Sequence, residues 1–304
     1  MSFHPDLRTA RFLPRSFLTG PATLRLTRWA TAAAMLRAGG EVIAIPNEPA
    51  VSVRFYRPQL VSAPAPALLW IHGGGFVTGN AGTDNDFCTE VSNELGAIVA
   101  AVEYRRAPEH PFPTPLDDCY SALRWLAEQS DVDRERIAIG GASGGGGLAA
   151  ALGLLARDKG EIQPAFQLLV YPMLDDRTAL RTDIDERRFR LWNQRSNRFG
   201  WQSYLGAVYG TDEVPMLAAA ARCEDLSGLP PTWIGVGDHD LFLDENVAYA
   251  QRLQQTGIQC TLDVVPGAYH GFDVIAPKTP VSRSFIEAQI NALRGALTRT
   301  TTPE

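Results

Sequence analysis

The stretch Ile139-Gly140-Gly141-Ala142-Ser143-Gly144-Gly145-Gly146-Gly147-Leu148 constrains the fold of this chain more than any other. The apolar run from Arg136 to Ile139 reads as a buried strand, and a helix-forming run from Leu148 to Arg157 follows without a spacer. Joining them demands a turn so tight that glycines must flank it, because glycine tolerates positive φ and close backbone approach. Gly141-x-Ser143-x-Gly145 is the sequence form of such a turn, a nucleophile elbow, which lifts a serine hydroxyl out of the sheet. The hydroxyl then stands over the amino end of the next helix, where the dipole and free N–H groups favour negative charge. A glycine-rich turn that merely packs a helix on a sheet has the same pattern, so the company this serine keeps must decide.

That company is a regular alternation. Short apolar runs at Leu68–His72, Ala97–Tyr104, Arg136–Ile139, Phe166–Tyr171, Thr232–Val236 and Gln259–Val265 read as strands. Asp86–Leu95, Pro115–Gln129, Leu148–Arg157, Asp244–Gln255 and Val281–Leu297 read as helices, most of them between strands. Glu41–Ile45 and Val51–Tyr56, separated by Pro46-Asn47-Glu48-Pro49, form an antiparallel hairpin at the sheet edge, and Ala63-Pro64-Ala65-Pro66 is a turn. About eight near-continuous apolar strands alternating with helices imply an α/β fold, a mostly parallel sheet covered on both faces.

Two stretches break the rhythm. Residues 1–40 carry apolar positions such as Phe12, Phe17, Leu18, Trp29 and Leu36 among Arg and Thr, which suits two short helices ending at Gly39-Gly40. Asp175–Tyr209 is too long for a plain connection and too polar for core, then becomes aromatic at Phe189, Trp192, Phe199, Trp201, Tyr204 and Tyr209. The expected division is therefore a helical cap from 1–40 and 175–212 over a catalytic core of 41–174 and 213–304. The aromatics either line a pocket beneath the cap or anchor it.

A net charge of −6 argues against a nucleic-acid partner, since phosphate binding needs a basic patch. Cys88, Cys119, Cys223 and Cys260 are far apart and form no C-x-x-C pair, so neither a zinc site nor a redox motif is indicated; they read as reduced thiols, and a cytoplasmic location is expected. The N-terminus lacks the apolar run of a signal peptide, and no stretch reaches the length of a membrane span.

An attacking serine needs a base, an acid to orient it, and donors for the oxyanion. Of five histidines, His270 lies in the loop after the last strand, where a base belongs; His239, between two aspartates, is the alternative. The acid must come from the loop after Thr232–Val236, and spacing leaves Asp238, Asp240 and Asp244 open, Asp240 favoured. His72-Gly73-Gly74-Gly75-Phe76 follows a buried strand and exposes successive backbone N–H groups, as an oxyanion hole requires, completed by the N–H of Gly144. A phosphate cradle is excluded by the lack of Gly-Lys-Ser/Thr and of G-x-G-x-x-G after the first strand.

In order along the chain, His72-Gly73-Gly74-Gly75-Phe76, Tyr104-Arg105-x-Ala107-Pro108-Glu109-His110-Pro111-Phe112-Pro113, Gly141-Ala142-Ser143-Gly144-Gly145 and His270-Gly271-Phe272 resemble the motifs of the hormone-sensitive-lipase-like branch of the α/β-hydrolases. That branch holds bacterial carboxylesterases and acetyl esterases, and the resemblance covers roughly residues 45–295. Asp240-Leu241-Phe242-Leu243-Asp244-Glu245 is similar to the family's Asp-Pro-Leu-x-Asp-Glu, which implies Asp240 as the acid. The resemblance further implies that Gly74 and Gly75 face the oxyanion, that His72 with Gly73 supports the loop, and that a cap is built as described above. Three departures stand out: Leu241 for the usual Pro, Gly144 for Ala with no expected consequence, and Glu103 for Asp.

The resulting expectation is a cofactor-independent serine carboxylesterase with no metal, acting on short- to medium-chain esters through an acyl-enzyme. Ser143, Asp240 and His270 are catalytic, and Phe76, Trp192, Trp201 and Tyr204 line the substrate pocket. A small-molecule ester is the partner, and a homodimer is allowed for. A serine peptidase or amidase with the same elbow, and a catalytically silent receptor, are the rival classes.

Overall fold

Strands β1 (Glu41–Ala44), β2 (Ser52–Tyr56), β3 (Ala65–Ile71), β4 (Ile98–Glu103), β5 (Val132–Ala142), β6 (Phe166–Val170), β7 (Thr232–His239) and β8 (Cys260–Tyr269) make one sheet. Their order is β1-β2-β4-β3-β5-β6-β7-β8 in the computed structural model, which describes residues 2–15, 20–46, 48, 51–59 and 64–298. Only β2 runs against its neighbours, and every pairing from β4 through β8 is parallel. The apolar runs of β3, β4, β6 and β7 are buried almost throughout, as strands sandwiched between helices must be. At the free edge, β8 alternates and leaves Val264 partly exposed.

Helices α1 (Leu24–Arg37), α2 (Asn85–Leu95), α3 (Thr114–Ala127), α4 (Gly144–Lys159), α5 (Gln194–Leu205), α6 (Leu243–Gln255), α7 (Phe272–Ile275) and α8 (Pro280–Leu297) complete the fold. The period-two pleat sorts β3 between two cores. Leu69 and Ile71 pack with Leu116, Leu123, Leu152 and Leu253 of α3, α4 and α6, whereas Leu68 and Trp70 pack with Val91, Phe285 and Leu293 of α2 and α8. Among the described residues no helix is long and apolar enough to cross a membrane.

Boundaries differ from expectation where glycine and proline were read as stops. Helix α4 begins at Gly144, so the glycine run lies inside the helix, and Ala65 and Pro66 belong to β3, beside an irregularity in its register with β5. Of the N-terminal pair, the first is a 3-10 segment, Pro5–Phe12. Phe17, Leu18, Asn47, Pro49 and Ala63 lie outside the described residues.

The N-terminal stretch and the 175–212 insertion meet over the carboxyl ends of the strands. Leu191 N–H donates to Pro14 O at 3.2 Å, and the Arg190 guanidinium donates to Ala10 O at 2.8 Å. Arg28 of α1 reaches down to the carbonyls of Val77 and Ala107, both at 2.7 Å. The insertion is pinned to the sheet layer by two buried acids. Glu245 of α6 accepts from Leu174 N–H at 2.7 Å and from the Thr178 hydroxyl, and Asp176 holds Arg222 in a bidentate pair at 2.7 and 2.9 Å.

Candidate active site

Ser143 closes β5 and opens α4 with φ 56° and ψ −121°, a strained conformation for a residue with a side chain. Its neighbours explain why the turn closes. A Cβ on Gly141 would stand 2.4 Å from Gly145 O, and one on Gly145 would stand 2.1 Å from Ile71 O. The backbone is clamped from the β6 side: Ser143 N–H donates to Val170 O at 2.9 Å, and Met173 N–H donates to Ser143 O at 3.0 Å. Phe76, Tyr171 and Leu191 are the other non-glycine residues with positive φ among those described, and each lies beside this serine in the loop or cleft around it. Strain gathered at one place marks a site held for function.

His270 follows β8, and its Nε2 stands 2.9 Å from Ser143 Oγ while Nδ1 stands 2.8 Å from Asp240 Oδ2. Asp240 is buried, and its other oxygen accepts the N–H of Phe242 at 2.9 Å, which fixes the carboxylate. Leu241, in place of the family's proline, leaves this geometry intact. The rival acids are elsewhere: Asp238 accepts Gly267 N–H at 2.5 Å, and exposed Asp244 pairs with Arg181 at 2.6 Å. His239 is buried against the edge of Phe3, its Nε2 3.7 Å from Asp238 Oδ1, and among the described residues neither ring nitrogen has a hydrogen-bond partner; burial holds its pKa below the ordinary value.

The loop after β3 brings Gly73, Gly74 and Gly75 against the elbow, with φ 118° at Gly74 and 57° at Gly75. A Cβ on Gly144 would lie 2.9 Å from Phe76 N and 3.0 Å from Gly75 N, so the N–H row of the loop runs directly past the residue after the serine. Gly144 is therefore not interchangeable with alanine at no cost, contrary to the sequence expectation. His72 holds the loop from beneath, its Nδ1 at 2.8 Å from Gly73 O and its ring stacked on Tyr104 at 4.3 Å. Burial drives its pKa down to about 3, so it stays neutral. Glu103, unassigned in the sequence, accepts Ala81 N–H at 2.7 Å and braces the far end of the same loop.

A cleft of about 240 Å³ opens on Ser143 and His270, walled by Gly73, Gly74, Leu191, Trp192 and Ile275, with Thr27 and Thr31 of α1 above. Trp192 lines it as expected. Phe76, Trp201 and Tyr204 do not: Phe76 stacks on Tyr204 at 4.2 Å and meets Trp201 edge-on at 5.1 Å, all three being fully buried. They fasten α5 to the loop, the anchoring alternative. Tyr171, whose ring meets His270 at 4.7 Å, and Asp84 also line the cleft, though no motif marks either. Among the described residues no three His, Cys, Asp or Glu side chains gather as metal ligands would. The arrangement has what acyl transfer demands: a nucleophile, a base in line with it, an oriented acid and a row of N–H donors.

A family model described as an alpha/beta hydrolase fold matches residues 68–274. Carboxylesterase NlhH of Mycobacterium tuberculosis is 33% identical over 264 residues, covering 81% of this chain and 79% of that protein. Ethyl acetate hydrolase of Pseudomonas putida is 33% identical over 231 residues, covering 72% of this chain and 70% of its own. Among solved structures, a bacterial heroin esterase superposes with a TM-score of 0.88 at 38% identity, covering 98% of this chain and 99% of that one.

Proposed function

Since this chain belongs to the α/β-hydrolase family and is a carboxylic ester hydrolase, we propose that Ser143, His270 and Asp240 carry the reaction and that its substrates are esters of short to medium acyl chains. One observation supports this above the others: the unbroken line from Asp240 Oδ2 through both nitrogens of His270 to Ser143 Oγ, at 2.8 and 2.9 Å.

In the first half-reaction Ser143 Oγ attacks the ester carbonyl carbon as its proton passes to His270 Nε2. Asp240 holds the imidazole with Nδ1 protonated and offsets the charge that forms. The carbonyl oxygen becomes an oxyanion that accepts from the N–H groups of Gly74, Gly75 and Gly144, worth about 3 kcal/mol for each donor in comparable sites. Collapse of the intermediate breaks the carbonyl–alkoxy bond, and His270 returns its proton to the departing alcohol. In the second, His270 takes a proton from water, the hydroxide attacks the acyl-serine, and Ser143 leaves with the proton.

The family resemblance supports acyl groups from acetyl to roughly hexanoyl over long chains, and a cleft of about 240 Å³ is in keeping with that range. The N-terminal stretch and the 175–212 insertion act as the cap that excludes bulk water. We place the enzyme in the cytoplasm on its four unpaired cysteines and acidic charge. Turnover of p-nitrophenyl butyrate and labelling by a fluorophosphonate probe should both disappear in Ser143→Ala. Undiminished hydrolysis by that variant would refute the assignment.

A further inference from the structure

Charge is spread unevenly along this chain. Residues 1–40 hold six arginines and one acid, a net charge of +5, whereas the whole chain carries −6. The insertion beside them, 175–212, has seven arginines against six acids, so the acidic excess lies in the catalytic core. Arg8, Arg11, Arg15 and Arg25 are exposed, and among the described residues none of the four pairs with a carboxylate. Asp6, the one acid of the stretch, is engaged by His4 at 3.7 Å and by the N–H of Val281 at 3.1 Å.

The same forty residues hold the three large apolar side chains most exposed to solvent among those described: Phe12 at 76%, Trp29 at 75% and Leu26 at 60%. Single exposed apolar residues are ordinary; their concentration in one basic stretch is not. Cation and ring are neighbours at both places. The Arg11 guanidinium lies 4.6 Å over the Phe12 ring, and Arg25 stands one helical turn before Trp29 on α1. The stretch is no loose tail, since Arg190 and Leu191 hold Ala10 and Pro14 while Arg28 anchors α1 to the core. Because Thr27 and Thr31 line the cleft, the helical turn sends Arg25 and Trp29 to the far side of α1, with Leu26 beside them. Across the cleft, Val274 and Ile275 of α7 are exposed as well.

We propose that this outer face of the N-terminal cap docks on an anionic lipid surface. Phe12, Leu26 and Trp29 enter the boundary between headgroups and acyl chains, and Arg11 and Arg25 meet the lipid phosphates. Charge complementarity selects this occupant. A second copy of the chain, joined by a two-fold axis, would set one +5 stretch against another. An acidic protein or a nucleic acid would answer the arginines and leave the apolar tips without a role, whereas a lipid interface takes both. Docked this way, the cleft between α1 and α7 lies beside the layer in which apolar esters dissolve. The docking does not depend on the catalytic reading.

Co-sedimentation of the full chain with sucrose-loaded vesicles tests it. The wild type should bind phosphatidylcholine vesicles carrying about one-third phosphatidylglycerol at least tenfold more tightly than vesicles of phosphatidylcholine alone, a comparison that needs no variant to fold. Salt at about 0.5 M should release most of the bound protein. Trp29→Ala and Arg25→Glu should each weaken binding by about fivefold or more, with hydrolysis of dissolved p-nitrophenyl butyrate unchanged as the control for folding. Absence of binding to the anionic vesicles, or equal binding to both compositions, would overturn the proposal. So would binding that survives Trp29→Ala and is lost only in Arg25→Glu, the mark of plain attraction to any polyanion. A dimer seen by light scattering and broken by Trp29→Ala would assign the face to a second copy instead. Ser143→Ala should bind vesicles like the wild type, so failure of the esterase reading would leave this result standing.

Discussion

Trp192 of the insertion occupies the space where Gly75 would carry a side chain: a Cβ built on Gly75 would lie 2.2 Å from Cη2 of the indole. The ring that walls the cleft is thus also the lid on a proposed oxyanion donor, and φ 57° at Gly75 independently disfavours any side chain there. Gly75→Ala should lower kcat for p-nitrophenyl butyrate by a factor on the order of 10² by displacing the loop N–H groups. Adding Trp192→Leu should recover part of the loss, because the collision goes while the backbone strain stays. Full activity in Gly75→Ala alone would remove Gly75 from the oxyanion hole.

Gly144 makes a gentler version of the same argument. Its absent Cβ would press on Phe76 N and Gly75 N at 2.9 and 3.0 Å, distances that a small shift of the loop relieves. Gly144→Ala is expected to reduce kcat roughly tenfold with little change in KM or melting temperature, as a donor row moved by tenths of an ångström would. Steady-state kinetics with a short p-nitrophenyl ester are sufficient, and a rise in KM alone would place the effect in binding instead.

How much of this was legible before folding follows from the range of each signal. Ser143, His270 and the loop glycines sit in local motifs whose backbone demands are written in adjacent residues, so they could be read directly. The acid could not be read from spacing, since Asp238, Asp240 and Asp244 share one short loop and only the register of β7 with β8 turns Asp240 toward His270. Trp201 and Tyr204 look like Trp192 in sequence, but α5 turns them inward onto Phe76, a choice made by packing across 125 residues of chain. Asp84, Tyr171 and Asp273 come from three distant segments and share no pattern. Gly144 seemed neutral because sequence shows no distance between two loops.

Asp240 and Asp238 lie two residues apart and provide a matched pair of substitutions. Asp240→Asn should keep the fold but leave the wrong imidazole tautomer facing Ser143, dropping kcat by about 10³ to 10⁴. Asp238→Asn retains an oxygen for the N–H of Gly267 and should leave kcat within about twofold, since Asp238 touches no reacting group. The reverse ranking in kcat would exchange the two assignments.

Asp273 should give the protein a measurable pH signature. Burial raises its pKa to about 6 from the ordinary 3.8, with the Tyr171 hydrogen bond pulling the other way and the charge of Asp84 adding to the rise. Between those two values the native state holds a proton that the unfolded chain has released, so the stability from this group is complete below pH ~4 and is lost as pH climbs through ~6. At pH 8 the ionised, buried carboxylate costs the wild type about 3 kcal/mol at most. Asp273→Asn keeps an oxygen for the Tyr171 hydroxyl and cannot ionise. Its urea-unfolding free energy should exceed that of the wild type at pH 8, and the gap should close by pH 4. A difference that is the same at both pH values would mean that the substitution acts through packing and that Asp273 is not held above its ordinary pKa.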